Sequence, residues 1–494
     1  MDVLRRRAVA TPERPALVDA GDGHTWRYSD LDRLVTHAAE RLERQAAGTD
    51  RVGTLCRPSP AFVVAFHAAQ RLGWTVVGLD TRLGGSALDT RLDRAGVDLL
   101  VHGPETPPPD STDRPTIPAA TLLADTGGET PLDTTPGPRP GPPAVSADLG
   151  DQPTETSVVL FTSGTTGEPK AVRLTAQNLR ASAVASAFRL GVAPGDRWLC
   201  CLPVAHMGGL APVVRAALYG TTLVVQRSFD ARETGRVLAA HDVTGVSLVP
   251  AQLRRLLDTG APLAALSTVL VGGAPVSGQL LDRALSAGVS VFSSYGLTEA
   301  ASQVATARPE TARDHPGTVG QPLYGLELTV VADGEPADPG ERGELVVAGP
   351  AVTPGYLDES ATEAATGAWG LHTGDIGYRD DAGRLWVVGR RDELVLTGGE
   401  LVVPVTVAES IRDHPAVADA AVVGLDDPEW GERLAALVVP DGDLDTATVE
   451  AHCRETLPGF KRPKVVSLGT SVPRTASGTV DREAVRERLR ENRS

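Results

Sequence analysis

The sequence predicts an α/β protein in which a large N-terminal domain of layered α/β subdomains is followed by a small α+β C-terminal domain. Three observations carry this expectation. The chain has 494 residues, too many for one hydrophobic core, so two or three domains are expected. Up to about residue 390, short apolar runs of strand length alternate with stretches of helical periodicity. From residue 393 onward a smaller unit with its own strands and helices begins.

The elements follow in order. Residues 31–44 place apolar side chains at helical spacing, and residues 51–56 and 75–79 read as short strands. Residues 103–153 are rich in Pro, Thr, Asp and Gly, with Pro107-Pro108-Pro109 and Pro136-Gly137-Pro138 among them. They predict a long mobile connection on the surface. The apolar run 157–161 then reads as a buried strand. Val269-Leu270-Val271 precedes Gly272-Gly273-Ala274-Pro275, and Val289-Ser290-Val291-Phe292 precedes Ser293-Ser294-Tyr295-Gly296. Both are strand-then-turn signals, the places where open α/β sheets bind ligands. In the smaller unit, residues 420–423 and 435–439 read as strands, with helices near 445–457 and 481–491.

Composition narrows the function. The net charge of −16 argues against a nucleic-acid binder, which needs a basic surface, and disfavours attachment to anionic membranes. No apolar run approaches 18 residues and the N-terminus lacks an apolar signal region, so no membrane span or signal peptide is expected and the cytoplasm is the default location. Cys56, Cys200, Cys201 and Cys453 lack any CxxC spacing, which predicts reduced thiols and no structural metal. Of the 47 Lys+Arg only Lys170, Lys461 and Lys464 are lysines, leaving 47 − 3 = 44 arginines. An acidic excess with so little lysine has two readings: a halophilic surface built to stay soluble at high salt, or a high-GC genome that favours arginine and alanine.

That scarcity draws attention to residues 161–170, Phe-Thr-Ser-Gly-Thr-Thr-Gly-Glu-Pro-Lys. Gly164 and Gly167 stand among the hydroxyls of Thr162, Ser163, Thr165 and Thr166, and Lys170 closes the run. Glycine lets backbone amides converge on an anion, and hydroxyls and one ammonium add donors, so the turn is a candidate phosphate cradle. It is not the GxxxxGK[ST] pattern, because only two residues separate Gly167 from Lys170.

Further motifs follow downstream: residues 202–209, Leu-Pro-Val-Ala-His-Met-Gly-Gly; Gly272-Gly273-Ala274-Pro275; Tyr295-Gly296-Leu297-Thr298-Glu299; and His372-Thr373-Gly374-Asp375 with Gly389-Arg390-Arg391-Asp392. In this order they resemble those of the adenylate-forming enzymes, which comprise acyl-CoA synthetases, peptide-synthetase adenylation domains and luciferases. The resemblance covers nearly the whole chain. It implies ATP and Mg²⁺ as cofactors, coenzyme A as the usual thiol substrate, and a carboxylic acid as the group activated. The turn 162–170 would wrap the ATP phosphates, with Ala171 where the family usually has glycine. Gly273, Ala274 and Pro275 would lie beside the adenine and Tyr295 would stack on it. Thr298 would contact the α-phosphate and Glu299 would hold Mg²⁺. Asp375 and Arg390 would take the ribose hydroxyls, and His206 would lie at the acyl pocket. Asp392 would be the hinge, with Glu393 as the other candidate, so the domains become 1–391 and a mobile lid at 392–494.

Within that superfamily, residues 295–304, Tyr-Gly-Leu-Thr-Glu-Ala-Ala-Ser-Gln-Val, are similar to the 2-succinylbenzoate–CoA ligases of menaquinone synthesis. A dicarboxylate needs polar and cationic partners deep in its pocket, and Ser302, Gln303 and Arg215 could supply them. Another acyl-CoA synthetase, for aryl or medium-chain acids, is the alternative. One departure stands out. After Pro473-Arg474-Thr475-Ala476-Ser477-Gly478, the family's lysine is replaced by Thr479. Lys464, Lys461 or Arg474 could stand in for it, with Lys464 the first candidate. A non-catalytic adenylate-binding homologue is the other possibility. Whether the protein is a monomer or a homodimer stays open.

Overall fold

The computed structural model describes residues 2–46, 48–108, 113–123, 155–162, 169–474 and 480–491. Within them the strands form sheets of nine, seven, six and five strands. The first three belong to the large N-terminal domain and the last to the smaller C-terminal domain.

The seven-stranded sheet is parallel at its centre, where Arg51–Leu55 and Thr75–Gly78 lie side by side and Thr156–Thr162 pairs with the latter. Val76, Val77, Val158, Val159 and Leu160 are all buried here, as expected for strands covered on both faces. Thr156–Thr162 then pairs antiparallel with Lys170–Thr175, and Thr162 and Lys170 are register partners. The ends of the glycine-rich turn are therefore held at the mouth of a hairpin. In the nine-stranded sheet, Gly245–Leu248, Thr268–Val271 and Val291–Leu297 run parallel, so their C-terminal ends open on one side. The six-stranded sheet is antiparallel, built on Glu327–Ala332, Gly343–Ala348, Gly370–Arg379 and Leu385–Arg390.

The structure differs from the sequence expectation in two places. The strand expected at 289–292 begins at Val291 and runs to Leu297, because Ser294 to Leu297 find antiparallel partners in Ser302–Thr306. The chain turns only after Leu297. Within the expected surface connection, Thr116–Pro118 adds a parallel strand beside Leu99–His102, and a turn at Ala119–Leu123 follows. Ile117 and Leu122 are buried there, and that burial outweighs the Pro- and Thr-rich surroundings. Residues 109–112 and 124–153 of that connection lie outside the described residues. Cys56, Cys200, Cys201 and Cys453 are free and buried. Among the described residues no helix is long and apolar enough to cross a membrane.

The turn Arg391–Glu393 joins the last strand of the six-stranded sheet to Val395–Thr397 of the five-stranded one. The long hairpin Val417–Asp427 and Gly431–Pro440 forms the centre of that sheet, covered by the helices Pro404–Arg412 and Arg482–Glu491. At the junction Arg254 reaches Asp413 across 2.9 Å. One turn earlier on that helix, Glu409 is 5% exposed. Burial pushes its carboxyl up to about 7 against the pull of Arg412 and Arg254, with Asp413 adding to the rise. An unfolded chain loses this proton at about pH 4.3, so between roughly pH 4 and 7 the unfolded state binds fewer protons than the folded one, and stability falls as pH rises. Glu409→Gln should therefore raise the thermal midpoint much more at pH 8 than at pH 5, a difference worth about 3 kcal/mol at most. Equal midpoint changes at the two pH values would contradict this.

Candidate active site

A cleft of about 1820 Å³ is walled by the three large-domain sheets, with Leu401, Phe460 and Lys461 of the small domain at its rim. The motif residues converge on it from positions 162 to 390. Thr162 and Lys170 come from the hairpin, Gly273, Ala274 and Pro275 from the turn after Thr268–Val271, and Tyr295, Thr298, Glu299, Ser302 and Gln303 from the strand pair beyond it. Asp375 and Arg390 reach it from the antiparallel sheet. Ser163, Gly164, Thr165, Thr166 and Gly167 lie outside the described residues, as does Thr479. Asp392 does not line the cleft. Neither does Lys464, whose ammonium instead stands 5.7 Å from the Trp430 ring centre, while Lys461 does line it.

Thr298 and Glu299 are presented by a tight connection. Gly296 packs so closely that a Cβ there would lie 2.0 Å from the Ser302 carbonyl oxygen. After the short turn Thr298–Ala300, Ala301 and Ser302 have φ of 51° and 130°. Non-glycine residues held in this region carry strain that the surroundings must offset. Here the Ser182 hydroxyl donates to the Ala301 carbonyl at 2.7 Å, and the Thr353 amide donates to that of Glu299 at 2.7 Å.

The neighbouring cluster centres on Asp375. The Tyr295 hydroxyl donates to its Oδ2 at 2.5 Å, and Arg390 Nε stands 3.9 Å from its Oδ1 and 3.7 Å from Asp392 Oδ1. Burial pushes the Asp375 carboxyl up, opposed by the Tyr295 hydroxyl and Arg390. Burial and the adjacent carboxylate push the Tyr295 hydroxyl well up, so it remains a donor. Glu344 braces the motif from behind: its carboxylate accepts from the Gly374 amide at 3.1 Å and stands 2.9 Å from His372 Nδ1 and 3.1 Å from Arg391.

Lys170 and Glu299 meet through a residue that no motif contained. The Tyr356 hydroxyl donates to Glu299 Oε1 at 3.0 Å, and the Lys170 ammonium lies 5.1 Å from the centre of the same ring. Burial and the Glu299 carboxylate push the Tyr356 hydroxyl far up.

The opposite end of the cleft is formed by the helix Met207–Tyr219. Gly208, Ala211, Pro212 and Arg215 share one face at i, i+3, i+4, i+7 spacing, and all four line the cleft. Small side chains therefore leave room, and the Arg215 guanidinium lines the cleft about 10 Å along the helix from Gly208. Arg215 is 7% exposed, and its Nη2 has no hydrogen-bond partner. Among the described residues no carboxylate pairs with it, and burial pushes its pKa down. His206, at the helix start, places Nε2 3.4 Å from Asp80 Oδ2. Burial disfavours the charged form of Asp80, but hydrogen bonds from His206 and Arg82 outweigh it and hold the carboxyl well below its usual range. Gln303 is buried and engaged, accepting from Ser186 at 2.7 Å and donating to Thr306 at 2.8 Å, so it backs the pocket wall.

A profile described as "AMP-binding enzyme" matches residues 4–357, and one described as "AMP-binding enzyme C-terminal domain" matches residues 406–479. The chain belongs to the AMP-binding enzyme family. It is similar to the 2-succinylbenzoate–CoA ligase of Bacillus velezensis, with 35% identity over 490 residues, 98% of this chain and 97% of that protein. The Bacillus mycoides protein of the same name is 33% identical over 496 residues, 99% and 98% of the two chains. Among solved structures, the o-succinylbenzoate CoA synthetase (MenE) of Bacillus subtilis with the acyl-adenylate OSB-AMP aligns at a TM-score of 0.86 and 32% identity, covering 98% of this chain and 97% of that one. The same enzyme with ATP and magnesium gives 0.85 and 31%, covering 99% of each.

For an AMP-binding enzyme the unforeseen members of the site are Tyr356, Glu344 and Asp80. Glu344 and Asp80 each border an apolar run, Leu345-Val346-Val347-Ala348 and Val76-Val77-Gly78-Leu79, whereas Tyr356 follows Thr353-Pro354-Gly355 and carries no such signal.

Proposed function

We propose that this AMP-binding enzyme is an ATP-dependent 2-succinylbenzoate–CoA ligase of menaquinone synthesis. The observation that carries the reading is Arg215, a buried guanidinium without a carboxylate partner among the described residues, which lines the same cleft as the motif residues. A buried unpaired charge is costly unless a ligand completes it. The free ring carboxylate of a dicarboxylic acid is such a ligand, and the full-length relatives support the same substrate.

The succinyl carboxylate then faces the nucleotide. It attacks the α-phosphate, the bond to the bridging oxygen breaks, and pyrophosphate leaves with that electron pair. The thiol of coenzyme A next adds to the acyl carbon, and AMP departs. Positioning and charge neutralisation dominate the first step. In this reading Lys170 and the turn 162–167 take the phosphates, Thr298 meets the α-phosphate, and His206, steadied by Asp80, meets the acyl carboxylate. Tyr295 stacks on adenine beside Gly273, Ala274 and Pro275. Asp375 holds the ribose with Arg390. The Glu299 carboxylate would hold Mg²⁺, a hard cation suited to oxygen ligands, which when bound offsets phosphate charge. Asp392, touched by Arg390, is the hinge of the small domain, with domains at 1–391 and 392–494. Lys461, which lines the cleft, becomes the nearer candidate for the lysine that Thr479 replaces. The reaction is assigned to the cytoplasm.

Pyrophosphate release with ATP and coenzyme A should be at least roughly a hundredfold more efficient with 2-succinylbenzoate than with 3-benzoylpropionate, which lacks the ring carboxylate. Equal efficiency with the two acids would remove the basis for the substrate assignment.

A further inference from the structure

Lys170 and Glu299 carry opposite charges and serve one ligand, yet Lys170 forms no ion pair with Glu299 among the described residues. Left to themselves, a flexible ammonium and a carboxylate in a partly enclosed cleft attract each other strongly. Such a pair would have to be broken before a phosphate or a metal ion could use either partner. Tyr356 stands where it prevents this. Its ring face attracts the Lys170 ammonium at 5.1 Å, and its hydroxyl occupies one lone pair of Glu299 Oε1 at 3.0 Å.

The tyrosine is itself well fixed. It is 4% exposed. Its short strand, Gly355–Tyr356, pairs with Lys170–Thr175 through Gly355↔Arg173 and Tyr356↔Val172. Its amide donates to Thr362 Oγ1 at 2.9 Å. The segment also grips the far side of the site: the Thr353 hydroxyl bonds the Gly355 carbonyl at 2.8 Å, while the Thr353 amide holds the Glu299 carbonyl at 2.7 Å. One short stretch thus ties the strand that begins at Lys170 to the turn that carries Glu299.

We propose that Tyr356 is a positioning residue, which keeps Lys170 and Glu299 separated and aimed at magnesium-complexed ATP. The inference rests on the adenylate-forming reading above. Two variants separate the functions of the side chain: Tyr356→Phe keeps the ring and loses the hydroxyl, and Tyr356→Leu loses both. Binding is measured by calorimetry without any acid substrate, once with ATP and Mg²⁺ and once with ATP alone. Tyr356→Phe should weaken binding of magnesium-complexed ATP roughly tenfold, because a hydrogen bond to a charged group is lost. It should bind ATP alone nearly as the original protein does. Tyr356→Leu should weaken both, because Lys170 is released as well. In pyrophosphate release the phenylalanine variant should need more Mg²⁺ for half-maximal rate. A lowered thermal midpoint with unchanged affinities, or the same loss with and without Mg²⁺ in Tyr356→Phe, would overturn the inference. If the unaltered protein binds no magnesium-complexed ATP, the adenylate-forming reading itself falls.

Discussion

Arg215→Met should make the protein more stable while it loses its preference for dicarboxylic acids. Both effects come from one property, a guanidinium 7% exposed with an unpartnered Nη2. Folding takes that charge out of water with no counter-charge among the described residues to receive it. A methionine of similar length fills the space without that cost, and the gain in unliganded stability should be about 1–3 kcal/mol. The substrate pays the opposite way. Removing the cation leaves a carboxylate facing a small-residue wall, and a buried charge deprived of its partner costs roughly a hundredfold or more in kcat/KM for 2-succinylbenzoate. Use of 3-benzoylpropionate should change far less. Thermal midpoints without ligand and kcat/KM for the two acids decide it. A variant that is no more stable and keeps the original ratio between the acids would show that Arg215 meets neither substrate nor a desolvation cost.

Lys170→Ala should lower pyrophosphate release by roughly a hundredfold or more, about 3 kcal/mol of transition-state stabilisation. Lys170 stands at the mouth of the hairpin, where it pairs with Thr162 at the end of the glycine-rich turn. With threonine at position 479 and Lys464 drawn aside over Trp430, Lys461 is, among the described residues, the only other lysine that lines the cleft. Thioester formation from supplied acyl-adenylate does not develop charge on a pyrophosphate leaving group, so its loss should be much smaller. Lys170→Arg should recover part of the rate, since the charge returns on a longer, planar head. Equal losses in both half-reactions would assign Lys170 a structural task instead.

Much of the nucleotide end was legible because its chemistry is written in short contiguous runs. Tyr295, Thr298 and Glu299 fall within one such run, and Asp375 and Arg390 in two more. Arg215 was reached through the resemblance alone, as a cation that a dicarboxylate substrate would need. What escaped are residues whose meaning lies in distant partners. Tyr356 meets Glu299 57 positions away, His372 meets Glu344 28 away, and Arg254 meets Asp413 159 away. None of these pairings belongs to a local pattern. The strand through Leu297 was missed for a related reason: residues 293–296 read as a turn until Ser302–Thr306 supplies the ladder partner that keeps them extended. Thr116–Pro118 likewise needed Leu99–His102 beside it.

The placement of the lysines has a chemical consequence of its own. Two of the three side-chain amines line the cleft, and the third stands on a tryptophan of the small domain. An acyl-adenylate is a potent acylating agent, and any that escapes meets a surface almost bare of primary amines, because arginine carries nearly all the positive charge. The protein is thereby a poor victim of its own intermediate. The same placement means that amine-directed labels, cross-linkers and coupling resins have few other side chains to react with, so they report on the working cleft or obstruct it.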